Sequence, residues 1–159
     1  MKVLSLTSQG HAAAAKSLFP DAEITNIFPG SEAGEVQPES FDTVLIYHIL
    51  QTLNRTEVES FARSAFAFVK PGGEVWMMTP SAEWAIRKLA KDQGSVLAMA
   101  VLFGEDEIHR CPVTIELMRA LIEEAGLICK IATQTTYSVT NGKNRYDVPQ
   151  GFVIGYKPK

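Results

Sequence analysis

Apolar positions along this chain alternate between short continuous runs and stripes spaced at three and four residues, the mark of strands and helices taking turns. The clearest stretch is Glu39 to Pro80. Phe41 to Tyr47 (FDTVLIY) is almost unbroken in its apolar character and carries β-branched Thr43 and Val44, as a short strand buried on both faces does. Asn54 or Thr56 opens a helix, and Thr56 with Glu59 has capping-box spacing. Val58, Phe61, Ala62, Ala65, Phe68 and Val69 form one apolar stripe on it. Pro71-Gly72-Gly73 stops that helix, and Glu74 to Thr79 (EVWMMT) is the next strand. Strand, helix, tight turn and strand make a crossover unit, which builds parallel sheet.

The rest of the chain extends the pattern. Lys2 to Leu6 is a short strand, Thr7 to Gly10 a turn, and His11 to Phe19 an alanine-rich helix ended by Pro20. Ala22 to Phe28 is a second strand, and Gly30 to Ser40 is loop. Ser81 caps a helix to about Lys91, with Trp84, Ile86, Leu89 and Ala90 as its packing surface. Val96 to Phe103 (VLAMAVLF) is wholly apolar and helical, expected in the core or across a homodimer contact. Gly104 to Pro112 is irregular. Thr114 caps Ile115 to Ala125, whose inner stripe is Met118, Leu121, Ile122 and Ala125, and Gly126 stops it. Leu127–Val139 and Arg145–Tyr156 are strands joined by a hairpin turn at Asn141–Asn144, with Pro149 marking a bulge or an edge. The sum is an α/β, Rossmann-like open sheet, mostly parallel, with a C-terminal antiparallel hairpin.

Composition narrows the function. With 159 residues, 46% hydrophobic and 21% charged, one globular domain with a real core is expected. Fifteen basic residues against 18 acidic give −3, with no Lys/Arg cluster, so a nucleic-acid surface is not indicated. A small-molecule or protein partner is. Cys111 and Cys129 stand in no metal-binding spacing and are expected as reduced, partly buried thiols, the alternative being a disulfide between them, and no metal is implied. No stretch reaches the roughly 20 apolar residues of a membrane span. The N-terminal MKVLSLTSQG is too short in its apolar run for a signal peptide, leaving the cytoplasm as the expected compartment.

In open α/β sheets a ligand sits outside the carboxyl ends of the strands, where strand order reverses. Thr7 to His11, Phe28 to Ser31, Tyr47 to Gln51 and Thr79 to Ser81 are therefore the stretches to watch. His48 leaves its strand at that edge and is read as the one histidine beside the pocket, to orient a cofactor or act as general base. The alternative is a histidine hydrogen-bonded at a strand end. Tyr47 either stacks on a ligand base or fills core. His109 is a substrate-side candidate or a solvated loop residue.

SFDTVLIYHILQTL, then a helix and FVKPGGEVWMMTP, resembles the second half of class I S-adenosylmethionine-dependent methyltransferases. IELMRALIEEAGL and the closing hairpin to Gly155-Tyr156-Lys157-Pro158 resemble that family too, as does Phe103-Gly104 followed by His109; coverage is about 40 to 158. The resemblance implies a single methyltransferase-like domain over 1–159, S-adenosylmethionine as cofactor, and an acceptor that is a small molecule or a protein. It places the cofactor against Thr7, Gln9, Gly10, Phe28 and Tyr47, with His48 and His109 as the candidate catalytic residues. The first forty residues depart from the pattern. The family's glycine-rich turn reads Leu6-Thr7-Ser8-Gln9-Gly10-His11 here, and Phe28 falls where the family carries the ribose-binding acid, unless Glu32 or Glu35 substitutes. Two readings follow: a methyltransferase with a weakened cofactor site, or a methyltransferase-like binding or assembly module without cofactor.

Overall fold

In the computed structural model, residues 1–8, 11–28, 36–104, 109–141 and 144–159 are described. Along the chain run β1 (Lys2–Thr7), α1 (Ala12–Leu18), β2 (Glu23–Ile27), β3 (Phe41–Tyr47) and a 3-10 turn at Leu50–Thr52. There follow α2 (Arg55–Phe66), β4 (Val69–Pro80), α3 (Ala82–Lys91), α4 (Val96–Phe103), α5 (Ile115–Glu124), β5 (Ile128–Asn141) and β6 (Asn144–Tyr156). The strands form one sheet in the order β2-β1-β3-β4-β6-β5. β2, β1, β3 and β4 pair in parallel, whereas β6 is antiparallel to both its neighbours. β1 lies between β2 and β3, so the chain winds outward from it first one way and then the other. The crevice created there faces the carboxyl ends of β1 and β3.

β3 explains its own sequence. Val44 and Ile46 point into the larger core with Val58, Ala62, Met118 and Ile122, from α2 and α5. Leu45 and Tyr47 point the other way, onto Val3, Ala15 and Phe19. A strand covered on both sides must be apolar at successive positions, and each such side chain fully buried contributes about 1.5–3 kcal/mol. The helix α5 lies close to β6 because Gly155 leaves it room: a Cβ there would stand 2.4 Å from Ile122 Cδ1. At the amino end of the sheet, Asp42 accepts from the backbone N–H of Lys2 at 2.6 Å and from Lys70 Nζ at 2.9 Å, tying β1, β3 and β4 together.

Several local expectations shift. The capping box of α2 is Asn54 with Glu57, two residues before the Thr56–Glu59 pair, because Asn54 holds the extended backbone (φ −76°, ψ 167°) that a cap needs. α2 ends at Phe66, and Pro71-Gly72-Gly73 lies inside β4 as a bulge, with Phe41 opposite Val69 but Thr43 opposite Glu74. Gly73 is required in that bulge, since a Cβ would meet the carbonyl oxygen of Asp42 at 2.6 Å.

The helical segment Val96–Phe103 is only half inside. Ala98 and Val101 are buried with Ala85, while Val96 is 81% exposed and Met99 and Phe103 more than 40%. α4 packs on α3 by one face, and Ile86, expected as packing surface, is exposed on α3. Ala125, expected in the inner stripe of α5, is also exposed. Pro149 causes no bulge; it lies just beyond Gln150, the last β6 residue paired with β4, where only β5 borders β6. The hairpin turn residues 142–143 lie outside the described residues, as do 9–10, 29–35 and 105–108. Both cysteines are free, Cys111 buried and Cys129 half-buried. No helix of the described residues is long and apolar enough to cross a membrane.

Candidate functional site

Thr7 ends β1 and pairs with Tyr47, the last residue of β3, so both stand at the carboxyl edge of the sheet at the point where strand order reverses. His48 follows with φ +52°, a left-handed backbone that a histidine adopts only under constraint. The constraint is visible: its N–H donates to the carbonyl of Met78 on β4 at 2.9 Å. The turn after β3 then brings Gln51 under the loop before α5, where its carbonyl accepts from the N–H groups of Arg110 and Cys111.

The His48 ring lies flat on Tyr47, with centroids 4.3 Å apart and planes within 8°. His11, the N-terminal residue beside α1, stands edge-on to His48 at 4.8 Å and tilted against Tyr47 at 5.5 Å. Ser8 Oγ is 2.8 Å from His11 Nδ1, which holds the turn closed. Tyr137, from β5, approaches both rings edge-on, at 5.9 Å from His48 and 6.3 Å from Tyr47. Behind His48, Nε2 is 2.5 Å from Oε1 of Gln150, which is fully buried on β6.

Burial governs the electrostatics. It pushes His48 down to about 4, helped by the charges His11 and His109 would carry and opposed by the Gln150 hydrogen bond. Burial also lowers His11 and His109 below the usual imidazole range. At neutral pH no imidazolium faces the site. Burial, and then Tyr137, raise Tyr47 above the usual phenol range. The result is a cluster of π faces and neutral nitrogens. Three buried polar atoms near it, Ser5 Oγ, Thr7 Oγ1 and Gln51 Oε1, have no partner among the described residues.

His48 feels the charge that either of the chain's other two histidines would carry, and His11 also meets its ring. His48 is not alone beside the pocket, and the correction is physical: the turn after β1 carries His11 directly over the end of β3. His109 is held against α4 by its Nδ1–H, which donates to the carbonyl of Val101 at 3.0 Å. Thr7, Tyr47 and His48 stand at the carboxyl edge of β1 and β3, and His109 lies in the segment before α5. Phe28 stands half-buried one residue beyond β2. Gln9, Gly10, Glu32 and Glu35 lie outside the described residues. Sequence reasoning missed Tyr137 and Gln150 as members of the site, since both sit in strands whose alternation says nothing about the sheet's far end. His11 carried a usable signal: it lay within the turn after the first strand. Among the described residues, no group of three or more His, Cys, Asp or Glu is placed to hold a metal ion.

No family model matches this sequence, and no curated protein matches it. Solved structures do match by shape. An S-adenosylmethionine-dependent methyltransferase from Archaeoglobus fulgidus superposes with a TM-score of 0.62 at 11% identity, covering 98% of this chain and 86% of its own. Another from Methanosarcina mazei gives 0.59 at 9% identity, with 99% and 92% covered. At such identity the likeness is one of fold, and the fold of this chain is that of the class I S-adenosylmethionine-dependent methyltransferases.

Proposed function

We propose that this protein is an S-adenosylmethionine-dependent methyltransferase whose site is the crevice at the carboxyl ends of β1 and β3. The observation that carries the reading is the cluster of Tyr47, His48, His11 and Tyr137 at the strand-order reversal, on a fold shared with such enzymes. The residues present suit the cofactor's charged end. The exposed ring of Tyr137 and the half-buried imidazole of His11 offer π faces to a cation above the buried Tyr47, with no imidazolium at neutral pH to repel it. Thr7, the turn after β1, Phe28 and Tyr47 would hold the cofactor.

When bound, S-adenosylmethionine supplies an already activated methyl group, so the protein's task is placement. Tyr47 and Tyr137 form a wall, and His48 offers a nitrogen to the acceptor's proton. The acceptor's proton leaves by way of His48 Nδ1 to solvent, since a group that titrates near 4 does not retain a proton at neutral pH. The acceptor is a small molecule or a protein.

With Phe28 where the resemblance places an acid, the ribose lacks charge-assisted hydrogen bonds worth about 1.5–3 kcal/mol each. Loss of even one such bond puts affinity about ten- to a hundredfold below that of an otherwise equal site with the acid. Titrating the protein with S-adenosylhomocysteine while following its thermal unfolding tests the reading. A concentration-dependent rise in the midpoint supports it, and a flat response to millimolar ligand favours the cofactor-free module.

A further inference from the structure

The His48 ring is held in one plane by its surroundings. Tyr47 covers one face at 4.3 Å, His11 and Tyr137 meet it edge-on, and the left-handed backbone is fixed by the hydrogen bond to Met78. Which nitrogen carries the proton then depends on Gln150. A carboxamide oxygen can only accept, so Oε1 of Gln150 requires a proton on Nε2 of His48. The amide cannot simply turn over, because its Nε2 donates to the carbonyl of Val148 at 3.3 Å and the side chain is fully buried. A neutral imidazole with Nε2–H has its lone pair on Nδ1. Nδ1 has no hydrogen-bond partner among the described residues, and it is absent from the sealed polar atoms that lack one.

We propose that Gln150 is a positioning residue that locks His48 as the Nε2–H tautomer, making Nδ1 a neutral acceptor for an O–H or N–H on the ligand. The site thereby selects hydroxyl- or amine-bearing acceptors over carboxylates. The identity of that ligand as a methyl acceptor rests on the methyltransferase reading; the tautomer and the preference do not. A carboxylate brought to Nδ1 would set lone pair against lone pair, with no imidazolium nearby to compensate. The titratable groups facing His48 are His11, on the turn into α1, and His109, before α5; both are held below the usual imidazole range. Tyr47 and Tyr137 complete its surroundings.

Histidine-labelled protein, observed by long-range 1H–15N correlation spectra at pH 7, reads the tautomer directly. The wild type is expected to show His48 with Nε2 protonated and Nδ1 bare. Gln150→Leu is expected to release the lock and populate the other tautomer. Gln150→Glu is expected to hold a carboxylate against Nε2–H and protonate the ring fully. Phenol and benzoate serve as donor-bearing and anionic probes. Phenol is expected to move the Nδ1 resonance of the wild type with an affinity about tenfold or more above benzoate's, and Gln150→Glu to reverse that order. An Nδ1–H tautomer in the wild type, or an unchanged Nε2–H spectrum in a folded Gln150→Leu, overturns the positioning role. Equal binding of the two probes, or no response to either, overturns the selection. None of these readouts depends on S-adenosylmethionine, whose separate titration decides the enzymatic reading alone.

Discussion

The rings of Tyr47 and Tyr137 meet edge-on at 6.3 Å although two strands, β4 and β6, separate their own strands in the sheet. The connection exists because the β5–β6 ladder runs on to Asn141 opposite Asn144, whereas β4 leaves β6 at Gln150. The two-stranded extension reaches back over the carboxyl edge of β3. After burial, Tyr137 is the second cause that holds the Tyr47 phenol above its usual range. Tyr137→Phe is expected to let Tyr47 ionise at lower pH, though still above the ordinary phenol range because burial is the larger cause. Alkaline absorbance titration of wild type and variant checks it; coincident curves would show that Tyr137 does not reach Tyr47 in solution.

His48 makes stability depend on pH with a defined sign. Its imidazole titrates near 4 in the folded chain against 6.5 ordinarily, so the unfolded chain takes up the proton first. The associated stability is whole above about pH 6.5 and shrinks as pH falls through that window to about 4. The loss is on the order of 3 kcal/mol. Urea unfolding at pH 7 and pH 4.5 should show a larger drop for wild type than for His48→Asn, whose residue tolerates the left-handed backbone. Equal drops would mean the ring is solvated in the folded state.

Gly155 and Ile122 set how closely α5 approaches the sheet. Gly155→Ala places a methyl 2.4 Å from Ile122 Cδ1 and is expected to cost about 1–3 kcal/mol. Combining it with Ile122→Val should cost less than the sum of the single changes, because the smaller side chain yields the space. Additive losses in denaturant unfolding would contradict the contact.

The two faces of α4 should respond unequally. Val96→Lys, at a position 81% exposed, is expected to stay within about 0.5 kcal/mol of wild type. Val101→Ala, in the small core shared with Ala85 and Ala98, is expected to lose about 0.5–3 kcal/mol. Chemical denaturation of both variants is sufficient.

The sheet was legible because its strands obey local rules. β3 is apolar at successive positions since both faces are covered, and β4 follows a helix whose stripe is unmistakable. The Pro-Gly-Gly turn misled about position for a physical reason: the same residues that end helices also make bulges, and Gly73 is needed for the approach of Asp42. The all-apolar α4 implied burial in the core or across a dimer contact; within the chain α3 and Val148 cover one face, and Val96, Met99 and Phe103 stay exposed. At the site, His48 and Tyr47 were readable as the end of a predicted strand. Gln150 was not, because its contact with His48 spans 102 residues and depends on where β4 stops pairing. Tyr137 depends on the same extension of the hairpin.

The most direct measurement of the central claim is calorimetric titration of S-adenosylmethionine into wild type, Tyr47→Ala and His48→Ala, each first shown to be folded. The expected result is saturable, weak binding to the wild type that both substitutions reduce, placing the cofactor at the carboxyl edge of β1 and β3. No heat with millimolar ligand and folded protein would contradict the enzymatic reading, and binding that neither substitution weakens would contradict the placement.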